Sequence, residues 1–101
     1  MKDNLFEFVI SFFATWGWQA LGKIPDPVSG KTQKNIEMAN NIIEILTMLE
    51  VKTKGNLIEE EARILRSTIT DLQLNYVDEL KKEQKKEENG KTDKEQTEKN
   101  P

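Results

Sequence analysis

Between Leu5 and Leu21 the chain reads LFEFVISFFATWGWQAL, and 12 of these 17 residues are apolar. All four Phe (Phe6, Phe8, Phe12, Phe13) and both Trp (Trp16, Trp18) of the protein lie in this one stretch. A helix on the surface of a small domain keeps one polar face toward water. This stretch has only a weak one, made of Glu7, Ser11, Ala14, Thr15, Trp18 and Gly22. Most of those residues are small, which permits close helix approach. The whole chain has 101 residues, enough for one small domain. Its ordered part cannot enclose such a helix on all sides. A second protein surface or a lipid surface is therefore expected to cover part of it.

The rest of the chain reads as two more helices and a tail. Asn4 and Glu7 fit an N-terminal capping pair for the first helix, expected over about 4–21. Gly22 is a natural stop, and Pro25 and Pro27 forbid continuation. A second helix is expected over about 33–54, with Thr32 as N-cap and an apolar face built from Ile36, Ala39, Ile43 and Leu46. Gly55 ends it. A third is expected over about 57–82, capped by Asn56 with Glu59 in the capping-box position. Glu59, Glu60 and Glu61 place negative charge at its positive dipole end. Along it, Ile58, Ala62, Leu65, Ile69, Leu72 and Tyr76 recur in alternating steps of four and three, with Val77 and Leu80 extending the stripe. That is a seam for a partner helix. The Lys54-Gly55-Asn56 turn makes the second and third helices an antiparallel hairpin.

Leu80 is the last apolar side chain. From Lys81 to Pro101 there are seven Lys and six Asp or Glu. Such a segment buries too little to offset the entropy of ordering it. Residues 83–101 are accordingly expected to be a disordered polyampholyte tail, with helix fraying by Asn89-Gly90. Residues 1–80 form one helical domain with 8 Lys+Arg and 12 Asp+Glu, so 8 − 12 = −4. The fold class is all-α: an apolar N-terminal helix packed on a helical hairpin.

Most catalytic chemistries are closed to this chain. It has no Cys and no His. This removes thiol nucleophiles, imidazole bases, Ser-His-Asp triads and zinc sites of the Cys/His type. The acidic balance, without a basic aromatic stripe, argues against nucleic acid. Glu59–Glu61 point in different directions on a helix, so capping explains them better than a metal site. Lys52, Lys54, Arg63 and Arg66 form a small basic cluster that reads as a solvated face. Gly30-Lys31-Thr32 matches the end of a phosphate-binding loop, but Pro25 stands where that pattern has its first Gly. A phosphate cradle needs converging backbone N–H groups, and Pro25 and Pro27 have none.

Three stretches in order, Leu21–Gly30 (LGKIPDPVSG), Ile45–Leu57 (ILTMLEVKTKGNL) and Leu72–Val77 (LQLNYV), resemble a small bacterial family known only as domain of unknown function 1844. The resemblance covers residues 5 to about 78. It implies a short, mostly helical, cytoplasmic bacterial protein, and no reaction. The family pattern has Thr after Gly-Asn-Leu as a helix cap. Here that position is Ile58, so the cap is expected to move to Asn56.

The function expected is a non-catalytic oligomerisation or partner-binding module, with no cofactor, metal or small-molecule substrate. Its interface is expected on Phe6, Phe8, Phe12, Phe13, Trp16 and Trp18, with the two Trp as anchors. The turns at Gly22, Pro25, Pro27, Gly30, Gly55 and Asn56 would orient the helices. The alternative is a peripheral membrane protein using the same helix, and a remote one is nucleotide binding at Gly30-Lys31-Thr32. The uncharged run Phe8–Gly22 would extend roughly 22 Å as helix, short of the roughly 30 Å of a bilayer core. Trp16 and Trp18 suit a headgroup boundary, but the basic face common in interfacial helices is missing. The MKDN start, with no Ala-x-Ala site after the apolar run, also fits a secretory signal badly.

Overall fold

A computed structural model of the chain describes residues 5–99, and the surroundings of side chains for residues 5–85. It contains three helices, α1 (Leu5–Ala20), α2 (Ile36–Lys52) and α3 (Glu59–Lys99), and each packs on the other two. Glu50 pairs with Arg66, and Lys34 with Glu79 and Glu83, so α2 and α3 run antiparallel. Gly17 meets both Ile42 and Leu72, and Lys23 reaches Glu79, so α1 runs alongside α3 and against α2. The expected all-α architecture is present. Asn4, the expected cap of the first helix, lies outside the described residues.

The end of α1 is built by its backbone. Gly22 has φ +77°. Its N–H donates to the Gln19 carbonyl at 3.0 Å, and the Lys23 N–H donates to the Trp18 carbonyl at 2.9 Å. These two bonds are the Schellman pattern, with Gly in the left-handed position as expected.

α2 starts later than expected. The chain stays extended through an isolated bridge between Leu21 and Lys34, and the Asn35 N–H donates to the Ala20 carbonyl at 2.7 Å. Asn35 is therefore the cap rather than Thr32: its φ of −135° is extended, and its side chain accepts from the Met38 N–H. Pairing with the end of α1 keeps 34–35 out of the helical region, and Asn takes over the capping role.

The start of α3 also differs. Asn56 does not cap; its N–H donates back to the Thr53 carbonyl within the turn. Ile58 stands at the cap position. Its carbonyl accepts from the Ala62 N–H at 3.0 Å, and its own N–H donates to Glu61 Oε1 at 3.1 Å. Half of a capping box thus survives without a hydroxyl residue, because the Glu arm does not depend on the cap side chain. Gly55 takes φ +87° in the turn.

At the far end the bounds of α3 run to Lys99, through the segment whose composition is that of a polyampholyte tail. Lys, Glu and Gln are strong helix formers, and Glu79–Lys82 and Glu83–Lys86 are favourably spaced. Side chains beyond Lys85 lie outside the described surroundings. Lys34–Glu83, at 3.9 Å, is the last ion pair along α3 among the described residues.

The core is Ile10, Ala20 and Leu21 of the first helix and its cap, Ala39, Ile42, Ile43 and Leu46 of α2, and Leu65, Ile69 and Leu72 of α3. Of the four-three stripe of α3, Leu65, Ile69 and Leu72 are intramolecular core and Tyr76 packs against it, while Ile58 at its start is 60% exposed and Val77 near its end 45%. At Gly17 the helices approach closely. A Cβ there would lie 2.9 and 3.2 Å from the two Cδ atoms of Leu72 and 3.4 Å from Ile42. Gly17→Val should therefore cost about 1–3 kcal/mol by overpacking. In a Leu72→Val background, which withdraws the Cδ atoms, the same change should cost clearly less. Urea denaturation of the two single variants and the double variant checks this; additive costs would mean that Gly17 and Leu72 are not coupled.

Candidate functional site

α1 shows an apolar stripe to solvent. Leu5, Phe8, Val9, Phe12 and Trp16 are exposed, from 36% at Val9 to 68% at Phe8. These positions recur at helical spacing, so they form one face. Phe8, Phe12 and Trp16 line an open groove with Ser11, Thr15 and Gln19, and Pro27 of the following loop lines it too. No charged residue occurs in α1 after Glu7. The rings are not independent. Phe12 meets Phe13 edge-on at 5.7 Å and Trp16 at 6.4 Å, and Phe13 stacks on Trp16 at 6.1 Å. Phe13 also packs on the core. The cluster therefore connects the surface rings to the packed interior, which limits their freedom.

The six aromatics proposed from sequence divide. Phe8, Phe12 and Trp16 face outward. Phe6, Phe13 and Trp18 pack against the core. Trp18 therefore lies on the interior side, and Trp16 is the outward indole. Sequence periodicity did not separate them, because both faces of α1 are apolar.

The loop carrying Gly30-Lys31-Thr32 closes on itself. Asp26 Oδ1 accepts from the N–H groups of Val28 (2.7 Å) and Ser29 (3.1 Å). The Gly30 N–H donates to the Asp26 carbonyl at 2.7 Å, and the Asp26 N–H donates to the Lys31 carbonyl at 2.8 Å. A phosphate would need those amides and would meet the carboxylate that already occupies them. The nucleotide reading has no geometry here.

The strongest electrostatic feature is one that sequence reading missed. Glu79 is a buried acid, 5% exposed. Lys23 Nζ reaches it at 2.8 Å, Lys34 Nζ at 2.9 Å and Lys82 Nζ at 3.2 Å. Lys23 and then Lys34 hold its pKa down from 4.5 to about 2, against a burial effect that acts the other way. The cluster joins the α1–α2 connection to α3 at both of the connection's ends. The signal was present: continuing the alternation past Tyr76 by a step of three lands on Glu79. Val77, which a stripe of apolar residues alone would choose, is 45% exposed.

The remaining candidates carry less. Arg66 approaches Glu50 at 3.8 Å and Arg63 approaches Glu60 at 4.0 Å, both largely in solvent. Among the described residues, no group of three or more His, Cys, Asp or Glu is placed to hold a metal ion. Among them also, no helix is long and apolar enough to cross a membrane.

The family model described as a domain of unknown function (DUF1844) matches residues 3–78. The chain belongs to this family. No curated protein and no solved structure matches it. The match ends one residue short of Glu79, while Lys23 and Lys34 lie inside it.

Because the folded-state pKa of Glu79 is lowered, its contribution is complete above about pH 4.5 and fades as pH falls toward about 2. At neutral pH, Glu79→Gln should cost about 1.5–3 kcal/mol, the range for hydrogen bonds to charged groups. The gap in melting temperature between this variant and the wild type should narrow as pH falls through that window. A gap that stays constant from neutral pH to the acid end would remove Glu79 from the acid sensitivity of the fold.

Proposed function

We propose that this DUF1844 protein is a non-catalytic helical interaction module of the bacterial cytoplasm, which assembles with protein through the outward face of α1. One observation carries the reading: the uncharged stripe Leu5, Phe8, Val9, Phe12 and Trp16, exposed along a helix whose other side is already used by the core. Contiguous apolar surface of this kind marks interaction sites, and aromatic anchors held in place before binding lose little entropy on contact. The non-catalytic part rests on chemistry: with no His or Cys in the chain, the strongly shifted group is Glu79, and three lysines engage it. A protein cover is favoured over lipid because α1 has no basic residue to meet anionic headgroups.

Light scattering coupled to size-exclusion chromatography, in detergent-free buffer, tests the reading. The wild type should elute as a discrete oligomer. A Phe8→Ser/Phe12→Ser variant should elute as a monomer with the same helical circular dichroism. A wild-type monomer at tens of micromolar would overturn the reading, as would a protein that stays dispersed only with detergent or lipid.

A further inference from the structure

The outward stripe of α1 has an internal order that specifies a partner. Leu5, Val9, Phe12, Trp16 and Gln19 follow one another in steps of four, three, four and three. That is a second heptad seam. The inner seam of the same helix is Phe6, Ile10, Phe13, Gly17 and Ala20, one residue later throughout. One residue is about 100° of rotation, so α1 offers two adjacent seams. The inner one is filled by α2 and α3. The outer one is bordered at its Trp16–Gln19 end by the α1–α2 connection and Met38 of α2, and from Leu5 to Phe12 it is exposed.

We infer that the outer seam is occupied by the α1 of a second copy of this chain, packed antiparallel about a twofold axis between Ile10 and Ser11. This rests on the interaction-module reading and names its partner. Three features support it. The first is area. At about 200 Å² for a fully exposed large side chain, the exposed fractions of the seam residues Leu5, Val9, Phe12 and Trp16 together with the flanking Phe8 amount to about 500 Å². Two copies would bury up to about 1,000 Å², the lower bound of a specific interface.

The second feature is charge. Residues 1–80 carry 8 − 12 = −4, so two copies carry like net charge. From Phe8 to Gly22 there is no charge at all, and this face can meet itself without like-charge contact.

The third feature is shape. The seam is tapered, from Leu5 and Val9 at one end to Phe12 and Trp16 at the other. Parallel pairing would set Trp16 against Trp16 and Phe12 against Phe12 and force the helices apart at that end. Antiparallel pairing sets Trp16 against Leu5 and Phe12 against Val9, large against small in each layer. In heptad terms Val9 and Trp16 are a positions and Leu5 and Phe12 are d positions, and antiparallel layers pair a with d, as these do. The pairing is isologous, so it closes as a dimer. It also lays the positive N-terminus of one α1 beside the C-terminal end of the other, whose last turn has no basic residue.

The chain has no cysteine, so a single introduced thiol takes one spin label. Full-length Ser11→Cys and Gln19→Cys proteins, each labelled and measured by electron paramagnetic resonance, read the geometry of the oligomer. Ser11 lies level with the axis on a flank of the seam, so its two labels are separated only across the helix pair and should be the closer pair, within about 20 Å. Gln19 is about 8.5 residues from the axis, so its two labels should be about 25 Å apart or more along the helices. A dimer in which both pairs are close is parallel and overturns the inference while leaving the module reading in place. A dimer in which both pairs are distant pairs through another surface and overturns it as well. Monomeric protein in both samples would overturn the module reading together with the inference.

Discussion

Gly17 sets the orientation of everything around it. With no side chain at that position, Leu72 of α3 and Ile42 of α2 close over the backbone of α1. That contact fixes which way α1 is rotated about its own axis. Once Gly17 faces inward, Ile10 and Ala20 are buried with it, and Phe6, Phe13 and Trp18 pack at the edge of the core. Phe8, Phe12 and Trp16 are then forced outward by helical geometry alone. The exposed aromatic face follows from the close packing on the other side of the same helix.

Rotation is fixed at Gly17, and position along the bundle is fixed at Glu79. The connection between α1 and α2 leaves through Lys23 and returns through Lys34, and both lysines close on the same carboxylate. Between them the chain needs no core of its own. The Leu21–Lys34 bridge ties its ends together, and Asp26 closes its tip. A charge is buried here with several partners, so removing the carboxylate leaves cations facing one another across a partly dry site.

The architecture was legible where a pattern has one reading. The α3 seam through Leu65, Ile69 and Leu72 is core, Gly22 closes α1, and the three helices appear in the expected order. Four features were not legible, each for a physical reason. The rotation of α1 could not be read because both of its faces are apolar, so the hydrophobic pattern contains no polar side to point outward. The cap of α2 moved from Thr32 to Asn35 because a tertiary bridge holds the intervening residues extended. The cap of α3 stayed at Ile58 because Glu61 supplies the bond by itself. Glu79 was hidden by its residue type: a charged side chain at a seam position looks like the end of the seam until its three lysines are brought to it.

The division of α1 into a core side and an outward side can be read from its two indoles, the only Trp residues in the chain. Acrylamide quenching would be measured on Trp18→Phe protein, which keeps Trp16, and on Trp16→Phe protein, which keeps Trp18, over a dilution series. Trp16 should be shielded at high protein concentration and become quenchable as the assembly dissociates, while Trp18 should stay shielded throughout. Equal quenching of Trp16 at every concentration, or concentration dependence at Trp18 instead, would contradict the assignment of the two faces.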